Sequence, residues 1–226
     1  MKHAIRFGAA ISRIVAIDPA ATLQMTERLA PDLVGAFQRA ELVSRDQFRR
    51  LMGALHPTGI GALAIRPEHL PVPRINEALA GDDARAPSVV LEDPRHLGNL
   101  GAVVRVVAAL GGRAVLTTGS VDPWHEAAIR GSAGLHFSLL VDRIPSASSL
   151  EGTLVAFDPQ GADIRTLRLP DGALLAFGSE RVGISDDLRQ KAALLVRIPM
   201  RSGVSSMNLA TSVSVGMFHW LSQPEA

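Results

Sequence analysis

Along the second half of the chain, short runs of consecutive apolar residues alternate with longer stretches in which apolar residues recur every three or four positions. The runs at 89–92, 114–118, 137–141, 153–157, 174–177 and 194–198 read as strands. The periodic stretches at 100–110, 125–130, 186–193 and from 205 to about 221 read as helices. Strands that are apolar throughout, rather than at every second position, are those buried on both faces. The pattern therefore predicts an α/β domain whose mostly parallel sheet is covered by helices. Ligands of such sheets bind outside the carboxyl ends of the strands. Three strand-end loops here are rich in Gly, Ser, Asn and Arg, and chemistry is expected there.

The first part of the chain follows a different pattern. A strand at 13–17, a helical region at 21–39 broken near Pro31, a second helix at 46–55 and a strand at 61–65 predict a small α/β unit. Residues 2–7 read as the tail of a helix ending at Gly8, which leaves two readings, a shortened domain or a start that falls late. Prolines 67, 71, 73 and 87, with Gly81-Asp82-Asp83 among them, mark 67–87 as a linker between domains at 1–66 and 88–226.

Composition narrows the function classes. With 226 residues, 47% of them apolar and 20% charged, the chain suits one or two folded domains rather than disorder. Lys plus Arg number 23 against 22 Asp plus Glu, so bulk charge does not announce a nucleic-acid partner. Only Lys2 and Lys191 are lysines; the excess of Arg reads either as codon bias or as phosphate recognition by guanidinium forks. Residues 1–80 hold 10 basic and 7 acidic side chains, a mild positive bias. The absence of cysteine excludes disulfides, thiolate metal sites and a cysteine nucleophile. No apolar run reaches the roughly 18 residues of a membrane span, and residues 1–10 lack the apolar core of a secretory signal, so a cytoplasmic protein is expected.

Generic motifs add little. The chain has no Gly-Lys-Ser/Thr loop, no His-Glu-x-x-His zinc helix and no Gly-x-Ser-x-Gly elbow. Its seven histidines show no metal-ligand spacing and read as structural or surface residues, and no metal is expected. Gly59-Ile60-Gly61 is a weak match to a dinucleotide loop, because prolines rather than a crossover helix follow it.

Three segments carry more. The first, at 91–105, contains Glu92-Asp93-Pro94-Arg95-His96-Leu97-Gly98-Asn99 and ends at Arg105. The second is Phe177-Gly178-Ser179-Glu180-Arg181-Val182-Gly183-Ile184-Ser185, and the third is Ile198-Pro199-Met200-Arg201-Ser202-Gly203-Val204-Ser205-Ser206-Met207-Asn208. In this order they resemble the three motifs of the SpoU/TrmH family of SPOUT RNA methyltransferases. Asp122-Pro123-Trp124 and Arg130-Gly131-Ser132-Ala133-Gly134 are similar to the family's segment between its first and second motifs. Residues 1–66 are similar to a shortened form of the family's ribosomal-protein-like RNA-binding extension. The resemblance implies a trefoil-knotted α/β domain that binds S-adenosylmethionine and methylates a ribose 2′-hydroxyl in structured ribosomal or transfer RNA, working as a homodimer through that domain. Val106, Met207 and His96 depart from the usual pattern but leave its polar residues intact.

The resemblance also implies roles. Arg105, Asn99, Glu180, Ser206 and Asn208 form the catalytic set, while Gly178, Ile198 and Met207, with Phe177, Gly183 and Met200 beside them, hold the cofactor. Taken without the motifs, Ile198 and Met207 read as core residues, Glu180 as a helix-start carboxylate, and Ser206 and Asn208 as N-caps. Asn99 and Arg105 are six positions apart, about 600° of helical rotation, so they cannot share a helix face. Asn99 is accordingly expected in the loop or cap. Holding a guanidinium neutral at pH 7 costs roughly 7 kcal/mol, so Arg105 is read as a charged group that stabilises a developing alkoxide. Arg130, Arg13, Arg39, Arg45, Arg49 and Arg50 are the candidates for RNA backbone contact. Two other readings remain at this point: a noncatalytic RNA-binding or assembly protein with the same fold, and a Rossmann-type nucleotide-binding oxidoreductase.

Overall fold

The computed structural model describes residues 1–81, 85–179 and 181–224. They fall into two units, Met1–Pro67 and Glu68–Ala226.

In the first unit α1 (Lys2–Arg6) precedes β1 (Ile11–Ala16). α2 (Pro19–Leu29) starts where Asp18 accepts a hydrogen bond from the Ala21 N–H at 2.9 Å and Pro19 fits the first helical position. It stops ahead of Pro31, and a 3-10 turn (Pro31–Leu33) and the single turn α3 (Val34–Phe37) follow. β2 (Glu41–Leu42) is exposed and only two residues long, which is why no apolar pattern announced it. A reciprocal Ser44–Gln47 pair caps α4 (Arg45–Met52). α4 ends earlier than the expected residue 55, because Gly53 takes a left-handed φ of 73°. β3 (Ile60–Ala64) completes a sheet of order β2-β1-β3, with β1 parallel to β2 and antiparallel to β3. Alternation along β1 sends Ile14 toward Leu33 and Phe37, and Val15 toward Val43 and Phe48.

The second unit begins with a correction. The segment expected to be a linker at 67–87 contains α5 (Val72–Leu79), whose Ile75 is wholly buried beside Val90, Leu116 and Leu188. Pro71 and Pro73 are helix-start residues here, a position that tolerates a missing N–H. β4 (Ser88–Leu91), α6 (Leu97–Ala109), β5 (Ala114–Thr117), α7 (Glu126–Gly131) and β6 (Leu140–Arg143) follow. Then come β7 (Leu154–Asp163), β8 (Leu174–Phe177), α8 (Asp186–Lys191), β9 (Leu194–Arg197) and α9 (Leu209–Leu221). The strand expected at 137–141 lies later, because Leu135–Ser138 is a 3-10 turn. The last helix begins at Leu209 rather than 205.

The six strands pair in the order β6-β5-β4-β8-β7-β9, and among the described residues every pairing is parallel. On one face Val89, Leu91, Val155, Leu175 and Phe177 pack against Val103 and Val107 of α6 and Val213 and Met217 of α9. On the other, Val90, Leu116, Ala156 and Leu174 pack against Ile75 of α5 and Leu188 of α8. This is the helix-covered parallel sheet that the continuous apolar runs predict. α6 and α7 touch through glycines: a Cβ on Gly101 would stand 2.4 Å from the Ala128 carbonyl oxygen and 2.9 Å from Gly131. Among the described residues no helix is long and apolar enough to cross a membrane, and no group of three or more His, Cys, Asp or Glu side chains is placed to hold a metal ion.

His136 is wholly buried beside Trp124, with Nε2 2.9 Å from the Pro123 carbonyl and Nδ1 2.6 Å from the Ser132 hydroxyl. Burial holds its pKa below the ordinary 6.5, the Pro123 carbonyl opposing in part. The unfolded chain therefore binds this proton more readily than the folded one. The stability the neutral ring contributes is complete above the ordinary value and is lost as pH falls through 6.5 toward the folded pKa. The thermal midpoint is expected to fall on acidification through this window, as this group lowers the unfolding free energy by at most about 1.4 kcal/mol per pH unit. In His136→Gln, scanning calorimetry should find a lower midpoint at neutral pH and a flatter acid limb.

Candidate active site

The order of the sheet places a crevice where the connections diverge. β4 leads through α6 to β5 on one side, whereas β8 leads through α8 to β9 on the other. Between the carboxyl ends of β4 and β8 lies the switch point at which α/β sheets bind ligands. There Leu91 pairs with Phe177, and the Glu92 N–H donates to the Phe177 carbonyl at 2.8 Å.

After Phe177 the chain reverses. Ser179 and Gly183 exchange two backbone hydrogen bonds, at 3.1 and 3.0 Å, closing a tight hairpin. The return strand of this hairpin crosses directly over Gly178, where a Cβ would stand 1.9 Å from the Gly183 carbonyl carbon. Gly183 itself has φ +75°, the left-handed region that glycine occupies without penalty. The two glycines thus serve different needs, close approach and handedness.

The hairpin walls a cavity of about 800 Å³. Phe157, within β7 where its pairing with β9 shifts register, and Phe177, at the end of β8, stack with ring centroids 4.3 Å apart and planes 13° from parallel, and both line it. Val196, Ile198, Met200 and Met207 add apolar surface, and Asn99, Ser206 and Asn208 add polar groups. Asn208 joins two of the motifs: its Nδ2 donates to Asn99 Oδ1 at 3.0 Å, while its Oδ1 accepts from the Ala210 N–H at 2.9 Å and so caps α9.

All six residues assigned to the cofactor, Gly178, Ile198, Met207, Phe177, Gly183 and Met200, line this one cavity, as do Asn99, Ser206 and Asn208. Glu180 lies outside the described residues. Asn99 is not in a loop: it sits in the first turn of α6, two residues into the helix, because α6 starts at Leu97. Arg105 shares that helix, and the six-residue spacing turns it about 120° away from Asn99. It is exposed and is not among the residues lining the cavity. Arg130 is exposed on α7, 3.7 Å from Glu126 one turn earlier. In the first unit Arg13 is already engaged by Glu41 through two hydrogen bonds, Arg49 lies 3.3 Å from Asp46, and Arg39, Arg45 and Arg50 are exposed.

Sequence reasoning missed Phe157, Asp158, Gln160 and Arg189, which also line the cavity. A signal was present. The Asp158-Pro159-Gln160-Gly161 run breaks an apolar strand with Pro and Gly, and there the pairing of β7 with β9 shifts register between Phe157 and Ala162.

A family model described as the SpoU rRNA Methylase family matches residues 86–218, more than half of the chain. The chain belongs to this family. It is 30% identical over 149 residues to a 23S rRNA (uridine(2479)-2′-O)-methyltransferase of Streptomyces viridochromogenes, covering 60% of this chain and 52% of that one. It is 32% identical over 162 residues to a 23S rRNA (adenosine(1067)-2′-O)-methyltransferase of Streptomyces azureus, covering 65% of this chain and 58% of that one. The chain thus spans little more than half the length of either relative. The crystal structure of the SpoU methyltransferase AviRb from Streptomyces viridochromogenes, in complex with AdoMet, has the same fold, with a TM-score of 0.75 at 21% identity over 97% of this chain and 85% of that one.

The two hairpin glycines make a contrasting pair. Gly178→Ala forces backbone apart and is expected to cost about 3 kcal/mol. Gly183→Ala meets no atom within 4 Å and should cost about 1–2 kcal/mol for its φ alone. Denaturant unfolding of the two variants measures the difference.

Proposed function

We propose that this chain transfers a methyl group from S-adenosylmethionine to a ribose 2′-hydroxyl in structured RNA, ribosomal or transfer. The observation that carries the reading is the Asn208–Asn99 hydrogen bond at 3.0 Å. It ties the first motif to the third at a cavity whose wall is the second. Family membership removes the oxidoreductase alternative.

The residues present suit the cofactor. A cavity of about 800 Å³ falls in the range of roughly 300–1,000 Å³ that small-molecule sites occupy. The stacked Phe157–Phe177 pair offers a flat apolar surface to a purine, and Ile198, Met200 and Met207 continue it. When bound, S-adenosylmethionine supplies an electrophilic methyl group on a positively charged sulfur. The chain's part is orientation and charge. The Asn99 and Asn208 amides and the Ser206 hydroxyl present polar groups at the cavity edge and position the incoming ribose. The Arg105 guanidinium, charged at neutral pH, holds the ribose or its phosphate and stabilises the alkoxide that develops on the attacking oxygen. Glu180 keeps its place in the catalytic set through the motif resemblance alone.

Arg105 does not line the cavity of its own chain. This supports a homodimer through the second unit, in which each copy's Arg105 serves its partner's cavity. Phe218 and Leu221 stand 62% and 50% exposed on α9, apolar surface suited to such an interface. Arg130 and the first unit's exposed Arg39, Arg45, Arg49 and Arg50 contact the RNA backbone, with Arg13 held in reserve by Glu41. The setting is the cytoplasm, where such RNA is found.

Incubating the protein with methyl-labelled S-adenosylmethionine and total RNA tests the reading. Label at ribose 2′-oxygens is expected, with at least about 100-fold slower transfer for Asn208→Ala and Arg105→Ala. Binding of RNA without any transfer would favour the noncatalytic reading. Arg105→Lys retaining the native rate would show that the guanidinium fork is unnecessary. Mixing inactive Arg105→Ala with inactive Asn208→Ala should restore part of the activity, since a mixed dimer holds one intact site; no recovery would place both residues in the same chain's site.

A further inference from the structure

Glu92 lies in the first motif segment and has no part in the chemistry above. Its carboxylate nevertheless accepts two hydrogen bonds from a single residue: Oε2 from the Ser185 N–H and Oε1 from the Ser185 hydroxyl, each at 2.7 Å. Ser185 is the N-cap of α8, its Oγ accepting from the Leu188 N–H at 3.2 Å. One turn further along the same helix, a second carboxylate takes hold. Arg189 Nη2 lies 2.8 Å from Asp158 Oδ2, and the Asp158 side chain is only 5% exposed. Asp158 Oδ1 accepts from the Gln160 N–H at 2.8 Å, which leaves both of its oxygens engaged.

These two grips converge on a helix that needs them. α8 has six residues, too few for a helix to persist on its own propensity. Ile184 and Leu188 anchor one stripe of it in the core, while Ser185 and Arg189, also four apart, form the neighbouring stripe that the carboxylates hold. The grips come from opposite sides of β8. Glu92 extends from β4 on one side of the switch point, and Asp158 lies in β7 on the other side of β8. Directly before Ser185 runs the Ser179–Gly183 hairpin that walls the cavity. A shift of α8 therefore moves that wall relative to Phe157 and Phe177.

We propose that Glu92 and Asp158 are positioning residues that grip Ser185 and Arg189 on α8 and thereby set the width of the cofactor cleft. The proposal rests on the S-adenosylmethionine reading of the cavity. Its signature is a loss of cofactor affinity with little change in turnover once cofactor is saturating. Hydrogen bonds to carboxylates are the stronger kind, and losing both at Ser185 should weaken S-adenosylmethionine binding about tenfold or more.

Titration calorimetry with S-adenosylmethionine and S-adenosylhomocysteine, alongside kcat and KM for cofactor, tests this. Glu92→Ala, at a residue outside the cavity lining, is expected to raise Kd and KM for cofactor about tenfold and to change kcat less than about threefold, whereas Asp158→Asn, whose side chain also lines the cavity, is read by faster amide exchange over residues 181–185 without cofactor. Ser185→Ala should give a smaller rise, and Ser185→Thr, which keeps both bonds, should restore native binding. The double variant Glu92→Ala/Ser185→Ala should lose less than the sum of the two single losses, because the two residues share one contact. Glu92→Gln, which preserves shape, serves if Glu92→Ala does not fold. Amide exchange over residues 181–185 should quicken in Glu92→Gln with or without cofactor. Unchanged Kd and unchanged exchange in folded variants would overturn the proposal while the cofactor reading stands. Failure of the native protein to bind S-adenosylmethionine would instead sink the cofactor reading, and the cleft-setting role with it.

Discussion

The site depends on one backbone crossing. At the end of β8 the chain must turn back within a few residues, and the returning Gly183–Ile184 segment passes so close to Gly178 that no side chain fits there. The sheet order makes this turn consequential. Connections after β4 and β8 leave in opposite directions, so the crossing occurs beside the crevice that parallel sheets leave at such a point. Phe177 is held in register against Leu91 and Phe157 by the ladder, which gives the cavity a rigid floor. Strand ends buried on both faces position their last side chains far more firmly than a free loop does.

Polar groups around the cavity serve two purposes at once. Asn208 caps α9 and orients Asn99, so helix formation and the arrangement of the site are one event. Glu92, the residue after β4, accepts two hydrogen bonds from Ser185 at the start of α8. Small residues permit the packing behind them: a Cβ on Gly216 of α9 would stand 2.8 Å from the Phe157 ring, and Gly101 lets α6 meet α7. The site is therefore coupled to helix packing, and substitutions at these glycines would reach it without touching it.

The arginine excess acquires a structural explanation. Arg6, Arg13, Arg74, Arg85, Arg165 and Arg189 each lie against a carboxylate. Asp163 shows the effect most clearly: the adjoining Arg165 guanidinium holds its carboxyl down at about 2. Much of the positive charge thus lies against neighbouring carboxylates. Arg105 on α6 stays exposed.

The sequence by itself determined the layered α/β architecture, because the continuous apolar runs of β4, β5 and β8 are stable only when buried on both faces. It also marked three loops whose residues meet: nine of the residues picked from the three motifs line one cavity. Local chemistry was legible as well, as Pro31 ending α2 illustrates. The tertiary structure decided what depends on neighbours distant in the chain. Prolines 71 and 73 read as a linker, yet burial of Ile75 made a helix of that segment. Asn99 read as a loop residue, yet the helix began two positions earlier. The Glu92–Ser185 and Asp158–Arg189 grips span long stretches of sequence and leave no periodic trace in it. Apolar periodicity records which face of an element is buried, whereas a hydrogen bond between distant loops exists only after the sheet has brought their ends together.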